Sequence, residues 1–194
     1  RHWDLRYRGA RRAPIGSPSG PPAPDFVAVN GPGGRAALEA SGMDAARIVE
    51  VEALMYLYLA GLRRDTDPRG VLVLGELDAA HTQRLVDAVA AVPPNVTSGA
   101  PVTFKPHPLT PASTFAIRDP RIATTTADIG GLLAAARCTV VGASGSAVLE
   151  SACLGIPVVA LLNPDDLELL PVSTHPLLAT VESADALAGA VADA

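Results

Sequence analysis

Val71-Leu72-Val73-Leu74-Gly75, Val102-Thr103-Phe104-Lys105, Cys138-Thr139-Val140-Val141-Gly142 and Pro157-Val158-Val159-Ala160-Leu161-Leu162 decide the fold. The runs are short, mostly apolar at successive positions rather than at alternate ones, and rich in β-branched residues. That pattern belongs to strands buried on both faces, which is where parallel sheets place them. The text between the runs changes period. AAHTQRLVDAVAAV (79–92) carries Leu85, Val89 and Val92 at helical spacing and stops at Pro93-Pro94. GGLLAAAR (130–137) reads as a short helix with Asp128 as its cap, and SAVLESACLG (146–155) as a helix closed by Gly155 and Pro157. IATTT (122–126) reads as a short strand, LATVES (178–183) as a last strand and ADALAGAVADA (184–194) as a last helix. About six β/α units thus fill residues 70–194. They predict an α/β fold: a Rossmann-like parallel sheet with helices on both faces.

Working outward, FVAVN (26–30), GGRAALEASG (33–42) and RIVEVEAL (47–54) read as strand, helix and strand. One β-α-β unit is too little for a domain, and residues 25–69 are expected to be the end of a preceding domain plus a connection. Residues 1–12 hold five Arg and one Asp, and 13–24 hold five Pro, two Gly and two Ser. Residues 1–24 are therefore expected to be extended or disordered. The basic start suits either a solvated tail or contact with an anionic surface. The chain opens on Arg1 rather than Met and is expected to be a piece of a longer one.

Composition narrows the classes. The chain has 194 residues, 15 Lys+Arg against 20 Asp+Glu, a net charge of −5 and 48% hydrophobic residues. That supports a sizeable core and offers no basic footprint for nucleic acid. No run approaches the roughly 18 apolar residues of a membrane span, and no signal peptide is visible. Two cysteines, Cys138 and Cys153, are too few for a disulfide framework or a cysteine-rich zinc site. A reduced, cytoplasmic setting is the default. His2, His81, His107 and His175 are scattered without paired ligand spacing, so no metal and no cofactor are expected.

In an open α/β sheet, ligands bind beyond the carboxyl ends of the strands. Three segments fall there: Gly75-Glu76-Leu77-Asp78, Lys105-Pro106-His107-Pro108 and Gly142-Ala143-Ser144-Gly145-Ser146. The last turns from a strand into a helix through small residues. Its free N–H groups and two hydroxyls suit an anion such as phosphate, with Gly142 and Gly145 allowing close approach; the plain alternative is that Ser144 or Ser146 caps the helix. In KPHP two prolines stiffen the presentation of His107, and Lys105, two residues away in extended backbone, is expected on the same side. Both can donate to phosphate, or His107 is simply a loop histidine among prolines. Glu150, one turn into the serine helix, suits ribose hydroxyls or plain solvent. No residue presents itself as a catalytic base.

KPHP (105–108) followed by GSAVLESACLGIPVVAL (145–161) resembles the histidine–proline and serine motifs in the C-terminal, donor-binding half of GT-B glycosyltransferases. The group is that of sialyltransferase-like, capsule and surface-carbohydrate enzymes. VNGPGGRAALEASGMDAARIVEVEALMYLYL resembles the segment that closes their N-terminal domain, so the likeness runs over about residues 26–172. It implies a GT-B C-terminal domain at 70–194 with the tail of a truncated N-terminal domain at 25–69. It implies a nucleotide-sugar donor, a CMP-sugar in this group, used on a glycan or glycolipid acceptor for bacterial surface polysaccharide. It places the chain in the cytoplasm and allows peripheral contact at the inner face of the membrane. Carried over, Lys105, His107 and Pro108 face the phosphate, with Gly142, Ser144, Gly145 and Ser146 opposite. Gly75 lies under the cleft and Glu150 near the ribose. The family's base lies in the N-terminal domain, which leaves none here. Two other readings stay open: a UDP-sugar 2-epimerase-like enzyme, whose DSGG-type start is missing, and a non-catalytic α/β nucleotide-binding module.

Overall fold

The structure, a computed structural model, describes residues 24–97, 99–165, 169–172 and 174–194. Apart from Pro24, the Arg- and Pro-rich opening lies outside the described residues. The chain divides between Leu57 and Tyr58 into two units. Residues 58–69, read from the sequence as connection, therefore group with the second.

In the first unit, strand β1 (Val27–Val29) pairs in parallel with β2 (Ile48–Glu50), across helix α1 (Pro32–Ala40) and a 3-10 turn (Ala45–Arg47). This is the expected β-α-β unit with a shorter second strand. Pro32 opens α1 at a position whose N–H has no helical partner to lose. Gly42, at φ 88°, ends it in a conformation that favours glycine. Arg35 ties the helix to the sheet by donating from Nε to Glu50, 2.6 Å away. A second 3-10 helix spans Leu54–Gly61.

The second unit is built on six strands: β3 (Gly70–Leu74), β4 (Val102–Lys105), β5 (Ile122–Thr124), β6 (Ala136–Gly142), β7 (Val158–Leu161) and β8 (Leu178–Val181). They pair in the order β5-β4-β3-β6-β7-β8, every neighbour parallel. Counted within the unit this is 3-2-1-4-5-6, the doubly wound order. The helices are α2 (Ala79–Ala91), α3 (Ile129–Ala135), α4 (Ala147–Cys153) and α5 (Ala184–Asp193). Alternation along β3 shows how both faces are covered. Val71 and Val73 pack with Leu85, Val86 and Val89 of α2 and Leu187 and Val191 of α5. Leu72 and Leu74 pack with Leu133 of α3 and Val148 of α4. Phe104 is fully buried and meets Phe115 edge-to-face at 5.4 Å.

The strict strand–helix alternation read from the sequence needs correction. The β4–β5 connection holds only a 3-10 turn (Ala112–Thr114), and α3 and α4 are seven residues each. Strand β6 begins at Ala136, two residues before the run CTVVG, because Ala136 pairs with Gly70 of β3. Asp128 caps α3 as expected, accepting from Gly130 N at 2.9 Å. No helix of the described residues is long and apolar enough to cross a membrane.

Candidate functional site

The strand order turns back on itself between β3 and β6, the first strand of the unit and the fourth in sequence. Connections leave that pair in opposite directions, and the carboxyl ends there mark the crevice in which this topology usually holds a ligand. The loops bordering it are Gly75–Asp78 after β3 and Gly142–Ser146 after β6, with Pro106–Pro108 beside them after β4. KPHP (105–108) and GASGS (142–146), well separated in sequence, thus lie at one sheet edge.

Gly75 lets the histidine loop close over β3. A Cβ there would stand 3.1 Å from both His107 N and Pro106 Cα and 3.2 Å from Thr82 Cγ2, and Gly75 N donates to Lys105 O at 2.9 Å. His107 is half-buried, and its Nδ1 accepts from Leu109 N at 3.2 Å. With Nδ1 accepting, the ring proton of the neutral imidazole sits on Nε2, the nitrogen left to donate to a ligand. Donation to phosphate therefore needs no protonated ring. Thr110 N donates to His107 O at 2.9 Å and turns the chain after the exposed Pro108.

Lys105 departs from the expectation that it faces the same target as His107. Its Nζ donates to Ala127 O at 2.7 Å, in the loop after β5, and β5 lies on the side of β4 away from β3 and β6. The long, flexible side chain lets Nζ reach that carbonyl.

Across the crevice, Ser144 is exposed as a residue, yet its N and Oγ both point inward. They donate to Oε1 of Glu76 at 2.6 and 2.7 Å. Glu76 is itself 5% exposed, the one charged residue among the described residues that are buried. Its backbone is pinned by Thr82, whose Oγ1 accepts from Glu76 N at 2.9 Å and donates to Glu76 O at 3.2 Å. His81 Nδ1 stands 3.9 Å from the other carboxylate oxygen. Gly142 makes room for this group: a Cβ there would overlap the Glu76 carboxylate. The missing Cβ at Gly145 is likewise taken up within the protein, by Val141 at 2.9 Å. A buried carboxylate costs several kcal/mol of hydration, so these bonds are needed to hold it. The sequence places Glu76 in the segment Gly75–Asp78 at a strand end, but only Gly75 is singled out there.

Ser146 opens α4 with helical backbone and makes no side-chain cap bond, and Ser144 is spent on Glu76, so neither serine caps the helix. Ser146 and Gly145 stand beside the crevice, exposed and half-buried. Glu150, one turn into α4, accepts from the Tyr58 hydroxyl at 2.6 Å. That bond joins the serine helix to the 3-10 segment preceding β3 rather than leaving the carboxylate in solvent.

No family model matches the sequence, and no curated protein does. Solved structures do. TarM matches with a TM-score of 0.54 at 10% identity, over 98% of this chain and 38% of TarM. HepE of Anabaena, in complex with UDP-glucose, matches with a TM-score of 0.48 at 19% identity, over 86% of this chain and 53% of HepE. The GtfA/B complex matches with 0.45 at 15%. These neighbours are GT-B glycosyltransferases. At such identities the likeness is one of fold, and TarM carries it. The chain spans about half the length of HepE and little over a third of TarM.

Proposed function

We propose that this chain is the donor-binding part of a GT-B glycosyltransferase, taking a nucleotide sugar between the KPHP and GASGS loops. The observation that carries the reading is the strand order: it sets the two loops on either side of the point where the sheet changes direction. The GT-B fold of the neighbouring structures and the motif likeness support it. In this reading His107 Nε2 and the Gly145–Ser146 amides and hydroxyl donate to the donor's phosphate. Negative charge building on the leaving nucleotide is then met by hydrogen bonds rather than by a metal. Lys105 holds the Ala127 loop while keeping two further N–H groups for the same anion, and Glu150 stands near the ribose with Tyr58 orienting it. The motif likeness favours a CMP-sugar donor and a place in bacterial surface-polysaccharide assembly, at the cytoplasmic side of the membrane. The base that activates the acceptor is assigned to no residue of this chain.

Calorimetric titration of CMP, a CMP-sugar and a UDP-sugar into wild type, His107→Ala and Ser146→Ala tests this. A hydrogen bond to a charged group is worth about 1.5–3 kcal/mol, so His107→Ala is expected to weaken nucleotide binding roughly 10- to 150-fold. Ser146→Ala is expected to cost less, because its backbone N–H stays, and chelator is expected to change nothing. If His107→Ala binds every nucleotide as tightly as wild type, KPHP is only a stiffened loop.

A further inference from the structure

We propose that Glu76 is an internal anion: its carboxylate fills the cradle made by Gly142 and Ser144, and a donor phosphate engages Ser144 only by displacing it. The inference rests on the donor-site reading above. Three observations lead to it. The cradle's two donors, Ser144 N and Oγ, both converge on one oxygen of Glu76, as they would on an oxyanion. The space beside them is shaped by the absence of a side chain at Gly142, where a Cβ would overlap the carboxylate and lie 2.7 Å from Oε1. And no lysine or arginine among the described residues is ion-paired with Glu76; the basic group facing it is the His81 imidazole, at 3.9 Å from Oε2 and 38% exposed. The Glu76 carboxylate sits on neutral donors that suit any anion.

A carboxylate and the phosphodiester of a nucleotide sugar accept hydrogen bonds without donating any, and two negative charges about 3 Å apart repel strongly. They cannot share Ser144. Ser144 as a residue is exposed, so solvent reaches the rim of this cradle. The means of release is built in as well. Thr82 grips the Glu76 backbone on both its N–H and its carbonyl, so rotation of the side chain alone frees the cradle.

The test compares wild type, Glu76→Gln and Glu76→Asp as full chains, with inorganic phosphate, CMP and UDP as probes in calorimetry and circular dichroism as the check on folding. Gln keeps the shape and loses the charge; Asp keeps the charge but is one methylene too short to reach Ser144. Both are expected to bind phosphate and nucleotide about tenfold more tightly than wild type, Gln because a neutral occupant of the same donors is displaced more easily and Asp because it leaves those donors empty. A carboxylate that only braces Ser144 would give the opposite, weaker binding in both folded variants. Should one variant fail to fold, the other decides. Nucleotides binding wild type and variants alike would overturn the displacement and leave the donor reading standing. Tighter phosphate binding without any nucleotide binding would uphold the displacement and remove the donor reading. Binding of no probe to any of the three would overturn both.

Discussion

Glu76 and Ser144, 68 residues apart in the chain, meet across the crevice between β3 and β6 through two hydrogen bonds of 2.6 and 2.7 Å to one carboxylate oxygen. The contact exists because the parallel sheet places the ends of its first and fourth strands side by side. Gly142 leaves the space, and Thr82 aims the backbone.

Gly142→Ala is therefore expected to be destabilising although alanine is small. The added methyl overlaps the Glu76 carboxylate, so either Glu76 leaves its partners or the β6 end shifts. Overpacking of this kind costs about 1–3 kcal/mol. Urea denaturation followed by circular dichroism reads it. Gly145→Ala serves as the companion, since its methyl meets the Val141 side chain instead; unchanged stability of Gly142→Ala would mean that Glu76 is not held where described.

Asp119 and Arg121 brace the far end of α2. Arg121 donates to Asp119 through Nε and NH2, at 2.9 and 2.6 Å to Oδ2, and to the carbonyls of Val92 and Ala90 at 3.0 Å each. The Arg121 side-chain bonds, then its backbone N–H, hold the Asp119 carboxyl below the ordinary carboxylate value. A depressed carboxyl contributes stability above its unfolded pKa of about 3.9 and loses it as pH falls through the lower folded value. Asp119→Asn is expected to cost about 1 kcal/mol at pH 7, discounted for partial exposure, and nothing once both proteins are titrated below that range. Denaturation midpoints from pH 7 to pH 2 check this; a constant gap would contradict it.

Cysteine chemistry separates the two thiols. Cys138 is buried in β6, and burial pushes its thiol up to about 11, while Cys153 at the end of α4 is exposed. At pH 8 only about one Cys138 thiol in a thousand is ionised, and the thiolate is the reactive form. Iodoacetamide is expected to label the folded chain once, at Cys153, and the denatured chain twice. Mass spectrometry counts the adducts, and double labelling of the folded chain would place Cys138 outside the core.

The strands most legible in the sequence are those whose burial is complete. Val71–Leu74, Val102–Lys105 and Val158–Leu161 stand where their apolar runs stand, and Leu85 and Val89 mark the buried face of α2. Boundaries failed where tertiary pairing overrode local preference. Ala136 and Arg137 read as the end of a helix but lie in strand β6, where Ala136 pairs with Gly70 of β3. The candidate loops were legible through their prolines, glycines and serines. Glu76 was not, because a glutamate just past a strand looks like any solvent-facing loop acid. Its burial depends on Gly142 lying next to it, and that neighbourhood is known only once β3 and β6 are known to pair. The reach of Lys105 to Ala127 was not legible either, because a flexible four-carbon stem can take its Nζ to a carbonyl in a neighbouring loop.

The account's central claim is that a nucleotide's phosphate sits at the carboxyl edge, between His107 and the loop Gly142–Ser146. Amide and imidazole NMR shifts of the labelled chain, followed during titration with CMP and with UDP, test that residue by residue. The expected result is saturable movement of the His107 ring and of the Ser144, Gly145 and Ser146 amides, with Gly70, Ala136 and Val158 at the opposite strand ends unmoved. Saturable shifts confined to that opposite edge, or no shift of His107 and Ser144 at nucleotide concentrations that saturate the protein, would contradict it.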